Sequence, residues 1–364
     1  MKMLAILVAL IGGKFVALAF SPHPRDTKLR PKRLISAASP YSTERRCPTA
    51  LPSSIGDASG VRYEEPVFRP PAEWRSLVLQ VTIGCSWNRC TFCEMYQDKT
   101  YRARTIGEVA SDLRRVVDSG GAPYVRDVFL ADGDAMTLPT GLLIEILDAI
   151  REHLPRVRRV SSYCLPRNVR GKSVRSLTRL REKGLSLVYV GCESGDDDVL
   201  SAVDKGETFE SSAEALDKLH EAGIKRSVMI LLGLGGRKLS HSHAINSARL
   251  CSRTRPEYLS MLTTSFPRGK HRVEEGYYKE DQSGSVFEEL TPREGLVELE
   301  QFLSSVDIQT NRTIFRSDHA SNYLILKGRL GRDKDSLLAK LRGVLDAPPE
   351  DDVLNLRPEW ARGL

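Results

Sequence analysis

Gly84-Cys85-Ser86-Trp87-Asn88-Arg89-Cys90-Thr91-Phe92-Cys93 places three cysteines within nine residues, at C-x4-C-x2-C spacing. Three thiolates on so short a loop can face one centre, and soft sulfur donors suit iron–sulfur or zinc chemistry. Disulfides do not fit: three is odd, and the neighbours are too close to pair without strain. A closed structural site needs a fourth cysteine or a histidine, and the next downstream are Cys164 and His153. The loop therefore offers three donors and one open position. Plant-type [2Fe–2S] proteins share the spacing, but they need a fourth cysteine about thirty residues on, in a small acidic domain, and the chain has neither. A zinc knuckle would have to be completed by distant residues.

Working outward, Ser76 to Ile83 is an apolar, β-branched run that leads straight into the cysteines. Further strands are predicted at Asp127 to Ala131, Val160 to Cys164, Leu185 to Cys192, Ser227 to Leu232 and Tyr258 to Thr264. Helical spacing marks Thr105 to Val117, Leu142 to Leu154, Val174 to Lys183, Ser211 to Ala222, His243 to Thr254 and Thr291 to Val306, several closed by glycine. Strands alternating with helices imply a parallel sheet. Six such units make the fold class α/β: a partial, open (β/α)6 TIM-like barrel over residues 61–270, with a mainly helical C-terminal extension over 271–364. Lys270 to Tyr278 reads as a solvated charged loop.

The 364-residue chain carries a formal charge of +7. Residues 1–60 hold nine Lys or Arg and three Asp or Glu, so six of those charges lie there. The remainder is nearly neutral, and the basic balance is no argument for a nucleic-acid partner. Met3 to Phe20 resembles a signal-peptide core, with a membrane anchor through residues 3–20 as the other reading. Residues 21–55 are rich in Ser, Arg and Pro and poor in acids, a transit-peptide composition. The Ala19-Phe20-Ser21-Pro22 junction resembles that of two-part presequences for complex plastids. Residues 1 to about 60, with Cys47, are expected to be a cleaved presequence, and the mature chain to lie in a plastid with no stable membrane span. A secretory destination is the alternative. Lone Cys164, Cys192 and Cys251 suit a reducing compartment.

In parallel α/β barrels the site forms at the carboxyl ends of the strands, and the unusual residues of this chain fall there. The cysteines follow strand one, Asp132-Gly133-Asp134 strand two, Cys192-Glu193-Ser194-Gly195 strand four, and Gly233-Leu234-Gly235-Gly236 strand five. A plain tight turn is the other reading of Asp132-Gly133-Asp134, and the glycines too can serve as a plain turn. The glycines lack the helix-opening context of a Rossmann site. Cys164 and Cys192 read as small core residues.

Together these features resemble the radical S-adenosylmethionine (radical SAM) superfamily over residues 74–270. The common family spacing is C-x3-C-x2-C, and this chain has one extra residue in the first gap. The resemblance implies a [4Fe–4S] cluster on Cys85, Cys90 and Cys93, and SAM on its open iron. It also implies cofactor contacts at Phe92, Asp132, Gly133, Asp134, Glu193, Ser194, Gly233 and Gly235. Reductive cleavage of SAM would then abstract hydrogen from a substrate, with reduced ferredoxin or flavodoxin as electron donor. The core motifs leave the substrate open; tetrapyrrole-related chemistry and RNA modification both occur on related cores. The absence of an RNA-binding module favours a small molecule. Arg316 and His319, in the Phe315 to Tyr323 stretch, are substrate-side candidates, a helix start with a satisfied histidine being the plainer reading. A non-catalytic iron–sulfur or haem carrier on the same barrel is the alternative function.

Overall fold

The computed structural model describes residues 6–11, 14–19, 60–280, 287–310 and 312–362. The chain divides into two units, residues 1–45 and 46–364. In the first, Ile6–Ile11 pairs antiparallel with Lys14–Ala19. Residues 20–59 of the expected presequence, with the Phe20 junction and Cys47, lie outside the described residues. No described helix is long and apolar enough to cross a membrane.

The second unit is built on one eight-stranded sheet. Its strands are β1 (Leu77–Gln80), β2 (Asp127–Ala131), β3 (Arg159–Cys164), β4 (Leu185–Glu193), β5 (Lys225–Leu232), β6 (Tyr258–Thr263), β7 (Ile314–Ser317) and β8 (Leu326–Arg329). They lie side by side in chain order. The first seven run parallel and β8 returns antiparallel to β7. Strands covered on both faces read as continuous apolar runs, and β4 is buried at eight of its nine positions.

Helices α1 (Ile106–Asp118), α2 (Thr140–His153), α3 (Val174–Glu182), α4 (Phe209–Glu221) and α5 (Gly236–Thr254) form the crossovers. Their starts are written locally. Thr105 and Glu108 close a capping box on α1, and the Ser173 side chain caps α3. Buried Val109, Leu113, Leu143, Leu147, Leu216 and Leu250 then join the strands in one core.

The six strands and the open parallel arrangement agree with expectation, but the sheet does not end at β6. Seven and eight come from the C-terminal region. Both have four residues, too few for a periodic signal, and β8 at the edge is largely polar. Residues 271–364 also supply α6 (His271–Glu280), α7 (Pro292–Ser305) and α8 (Leu330–Asp346). The expected solvated loop at Lys270 to Tyr278 is thus largely helix α6. Its Val273 and Tyr277 are buried with Val199, Leu234 and Phe287.

On the free edge of β1, Tyr63 Oη donates to Val78 O at 3.0 Å. The Gln80 amide meets Glu64 N and O at 2.9 and 3.0 Å.

Candidate functional site

The cysteine loop leaves β1 through Gly84, whose φ of +73° only glycine adopts freely. A two-residue ribbon, Thr82–Ile83 against Arg102–Ala103, closes its base.

The segment after β2 grips this loop residue by residue. Gly84 N donates to Asp132 Oδ2 at 2.9 Å, and Gly133 N to Gly84 O at 3.1 Å. Ser86 N donates to Asp134 Oδ1 at 3.0 Å, while the Ser86 hydroxyl and Asn168 Nδ2 both reach Oδ2. A Cβ on Gly133 would stand 2.7 Å from Cys85 Cβ, so no other residue fits between the acids. Asp132 also pairs with Lys99 at 2.8 Å, both buried. Burial raises both aspartates above the ordinary carboxylate range, and their hydrogen bonds pull them back. Both carboxylates thus hold the cysteine loop, while Asp132 Oδ1 is buried without a hydrogen-bond partner.

A second grip comes from the stretch after β4. Thr91 N donates to Val203 O at 3.0 Å, and Trp87 Nε1 to Asp204 O at 2.7 Å. Arg167 stacks on the Trp87 ring at 3.5 Å. Within this stretch Lys205, 3 % exposed in its side chain, pairs with Glu193 at 3.1 Å. Glu193 holds φ +65°, and a Cβ on Gly191 would strike its carboxylate. Burial opposes the charge of Lys205, but Glu193 and Cys90 outweigh it and the ammonium is held above its ordinary range. Phe92 lies beneath it, ring centroid 5.9 Å from Lys205 Nζ.

The third grip is α6. Arg272 donates from Nη1 to Cys93 O at 3.0 Å and from Nη2 to Cys90 O at 3.2 Å. Arg268 pairs with Asp98 at 2.8 Å.

Ser194 is fully buried. His243 Nε2 donates to Leu231 O at 3.0 Å, which leaves Nδ1 to accept from Ser194 Oγ at 2.7 Å. Gly233 N donates to buried Glu298 of α7 at 2.7 Å, and Ser240 Oγ donates to the same carboxylate at 2.6 Å. Gly235 sits against Leu239 and His243 at the start of α5.

Arg316 lies half-buried on β7. His319 follows in a turn, not a helix: its Nδ1 accepts from Ser321 N at 3.1 Å, and Arg357 bonds its carbonyl. Burial, then Arg357, lowers its pKa. Among the described residues no hydrogen bond or ion pair joins either residue to the cysteine loop. The working residue of that stretch is Asn322, which accepts from Thr263 N and donates to Met261 O, both at 2.8 Å, securing the end of β6.

Lys205, Arg272, Glu298 and His243 were missed in the sequence. Only Gly206 beside Lys205 was a signal of close approach: a Cβ there would strike Trp87 and Arg167.

Burial raises all three thiols, Cys90 to about 12 and Cys93 to about 11, with Lys205 pulling each back. Among the described residues no three Cys, His, Asp or Glu side chains converge to hold one metal ion. A zinc knuckle requires that convergence, with sulfur about 2.3 Å from the ion. A cluster does not, because each thiolate takes a different iron.

An open parallel α/β sheet with a three-cysteine loop at the carboxyl end of its first strand defines a domain that can carry an iron–sulfur cluster. Residues 79–247, a little under half of the chain, match the family model of the Radical SAM superfamily. Enzymes of this family bind a [4Fe–4S] cluster and SAM. The heme chaperone HemW of Bacillus subtilis (strain 168) is 22% identical over 165 residues, 44% of this chain and 43% of that protein. The 4'-phospho-dehydrooxetanocin synthase of Priestia megaterium is 22% identical over 172 residues, 43% of this chain and 23% of that one. The match thus spans less than half the length of either relative. The radical SAM methyltransferase TsrM from Kitasatospora setae, solved with cobalamin and a [4Fe–4S] cluster, is 16% identical, covering 78% of this chain and 64% of its own, with a TM-score of 0.49.

Proposed function

We propose that this chain is a radical SAM enzyme in which Cys85, Cys90 and Cys93 hold a [4Fe–4S] cluster and SAM takes its open iron. The observation that carries the reading is the cysteine loop, clasped by three separate segments of the chain. When bound, cluster and SAM together would supply the one-electron chemistry that removes a hydrogen atom from a substrate.

The chain's own residues do the holding. Asp132, Gly133 and Asp134 fix where the ligand loop stands. Glu193 and Lys205 offer a buried carboxylate and ammonium beside Cys90, a match for the zwitterionic end of an amino-acid-derived cofactor. Ser194 is oriented by His243, and Gly233 by Glu298. Phe92, packed with Val199, Val203 and Leu234, keeps water from this side of the loop. Burial keeps the free thiols protonated, so loading the loop releases protons.

The substrate is a small molecule in this reading, and reduced ferredoxin or flavodoxin is the donor. Residues 1–60 act as a plastid presequence. Fused to a fluorescent protein in an alga with a complex plastid, they deliver it to the plastid; retention in the secretory pathway would overturn that part.

The match to a heme chaperone favours one second reading, a non-catalytic carrier on the same domain. Anaerobic reconstitution with iron and sulfide, then SAM and dithionite, separates the two. Four irons per chain with 5′-deoxyadenosine released supports the enzyme. The same iron without that product supports the carrier, and one zinc per chain defeats the enzyme and leaves only a zinc form of the second reading.

A further inference from the structure

We infer that Arg272 sets the reduction potential of the cluster on the cysteine loop. The inference rests on the cluster reading of Cys85, Cys90 and Cys93. Its starting point is the charge balance around that loop. Lys205 is matched by Glu193 at 3.1 Å, Arg89 by Asp204 at 3.0 Å, Arg167 by Glu207 at 2.9 Å and Arg268 by Asp98 at 2.8 Å. Arg272 differs. Both its hydrogen bonds end on uncharged carbonyls, those of Cys90 and Cys93, and among the described residues it forms no ion pair.

Its place is fixed by the helix that carries it. Val273 and Tyr277 are buried, and Tyr277 Oη donates to Leu234 O at 2.6 Å. Gly276 packs so closely on the short helix Asp197–Ala202 that a Cβ would lie 2.1 Å from Ala202 O. The planar fork of a guanidinium reaches two carbonyls at once, which an ammonium cannot do in the same geometry.

The consequence follows from charge. Reducing the cluster adds one negative charge to a centre already bearing three thiolates. An uncompensated cation held against the ligand cysteines in a half-buried setting stabilises that added charge. Cluster potentials are set by net charge and local hydrogen bonding, so Arg272 raises the potential.

The test is a redox titration of the reconstituted full chain, followed by the electron paramagnetic resonance signal of the reduced cluster. At the potential where the unaltered chain is half reduced, Arg272→Gln is expected to lower the reduced-to-oxidised ratio about tenfold, or 59 mV for one electron. Arg272→Lys keeps the charge, loses the fork, and stays within about threefold of the unaltered chain. Two results overturn the inference: an unshifted Arg272→Gln with a full cluster, or Arg272→Lys shifting as far as Arg272→Gln. Should Arg272→Gln fail to load, Arg272→Lys decides: an unshifted potential supports the inference and a shifted one overturns it. If the unaltered chain takes up no four-iron cluster, the cluster reading falls and this inference with it. If it loads and Arg272→Gln does not shift, only the inference falls.

Discussion

Gly133→Ala tests the clamp on the cysteine loop. The new methyl would stand 2.7 Å from Cys85 Cβ and 3.0 Å from Cys85 Cα. Ordinary carbon contacts lie at about 3.5–4.0 Å, so the loop must retreat by about 1 Å. The flanking hydrogen bonds, Gly84 N to Asp132 at 2.9 Å and Ser86 N to Asp134 at 3.0 Å, would then stretch beyond bonding distance. Overpacking costs about 1–3 kcal/mol, and each buried acceptor left short about 1–3 more. With partial relaxation the sum is roughly 3–6 kcal/mol. At about 2 °C per kcal/mol for a domain this large, thermal unfolding falls by roughly 6–12 °C. Iron bound after anaerobic reconstitution is expected to drop below half. Gly141→Ala, where nothing lies within 4 Å of the added methyl, is the control: it lowers neither, and as a helical Gly→Ala it raises the unfolding temperature slightly if at all. If Gly133→Ala unfolds with the unaltered chain and loads fully, the clamp is not what positions the ligands.

Lys205→Met leaves Glu193 buried without its partner and costs about 3–5 kcal/mol, read as a lower denaturant midpoint. Glu193→Gln/Lys205→Met together recovers a large part of that loss, and a double variant worse than either single one would refute the pairing. Glu298→Ala strands Gly233 N and Ser240 Oγ, at about 1–3 kcal/mol each, whereas Glu298→Gln loses less because its amide oxygen still accepts. Thermal unfolding of the pair checks this, and equal losses would contradict it. Glu108 is held at about 2, first by the Thr105 backbone N–H and also by Arg102. Its contribution to α1 is complete above the ordinary carboxylate range and is lost as pH falls through about 2. Glu108→Gln should therefore flatten the acid limb of the unfolding midpoint, and an unchanged limb would count against the capping box.

The cysteine loop and the strands were legible because their signals are local. Apolar runs mark β1 to β6, capping residues mark α1 and α7, and three cysteines fit within one turn of chain. The residues that hold the loop were not legible, because their partners are remote. Arg272 lies 182 residues from Cys90 and Glu298 lies 65 from Gly233. Before folding, each is an ordinary charge on a helical face. Asp132 and Asp134 were found by position at a strand end, and the structure assigns them to Gly84 and Ser86. Arg316 and His319 drew notice by composition, yet Asn322 a turn later makes the contacts, since its amide mimics a backbone unit for Thr263 and Met261.

The short stretch in front of β1, where Tyr63 and Glu64 meet Val78 and Gln80, limits how far the chain can be trimmed. It is a selvage on the weave: cut it away, and the edge of β1 loses its cover, Val78 O included, and lies open to another molecule. A cut near residue 60 would spare that border. A protease or a cloning boundary a dozen residues further in would yield protein that sticks to itself, however well its cysteines are arranged.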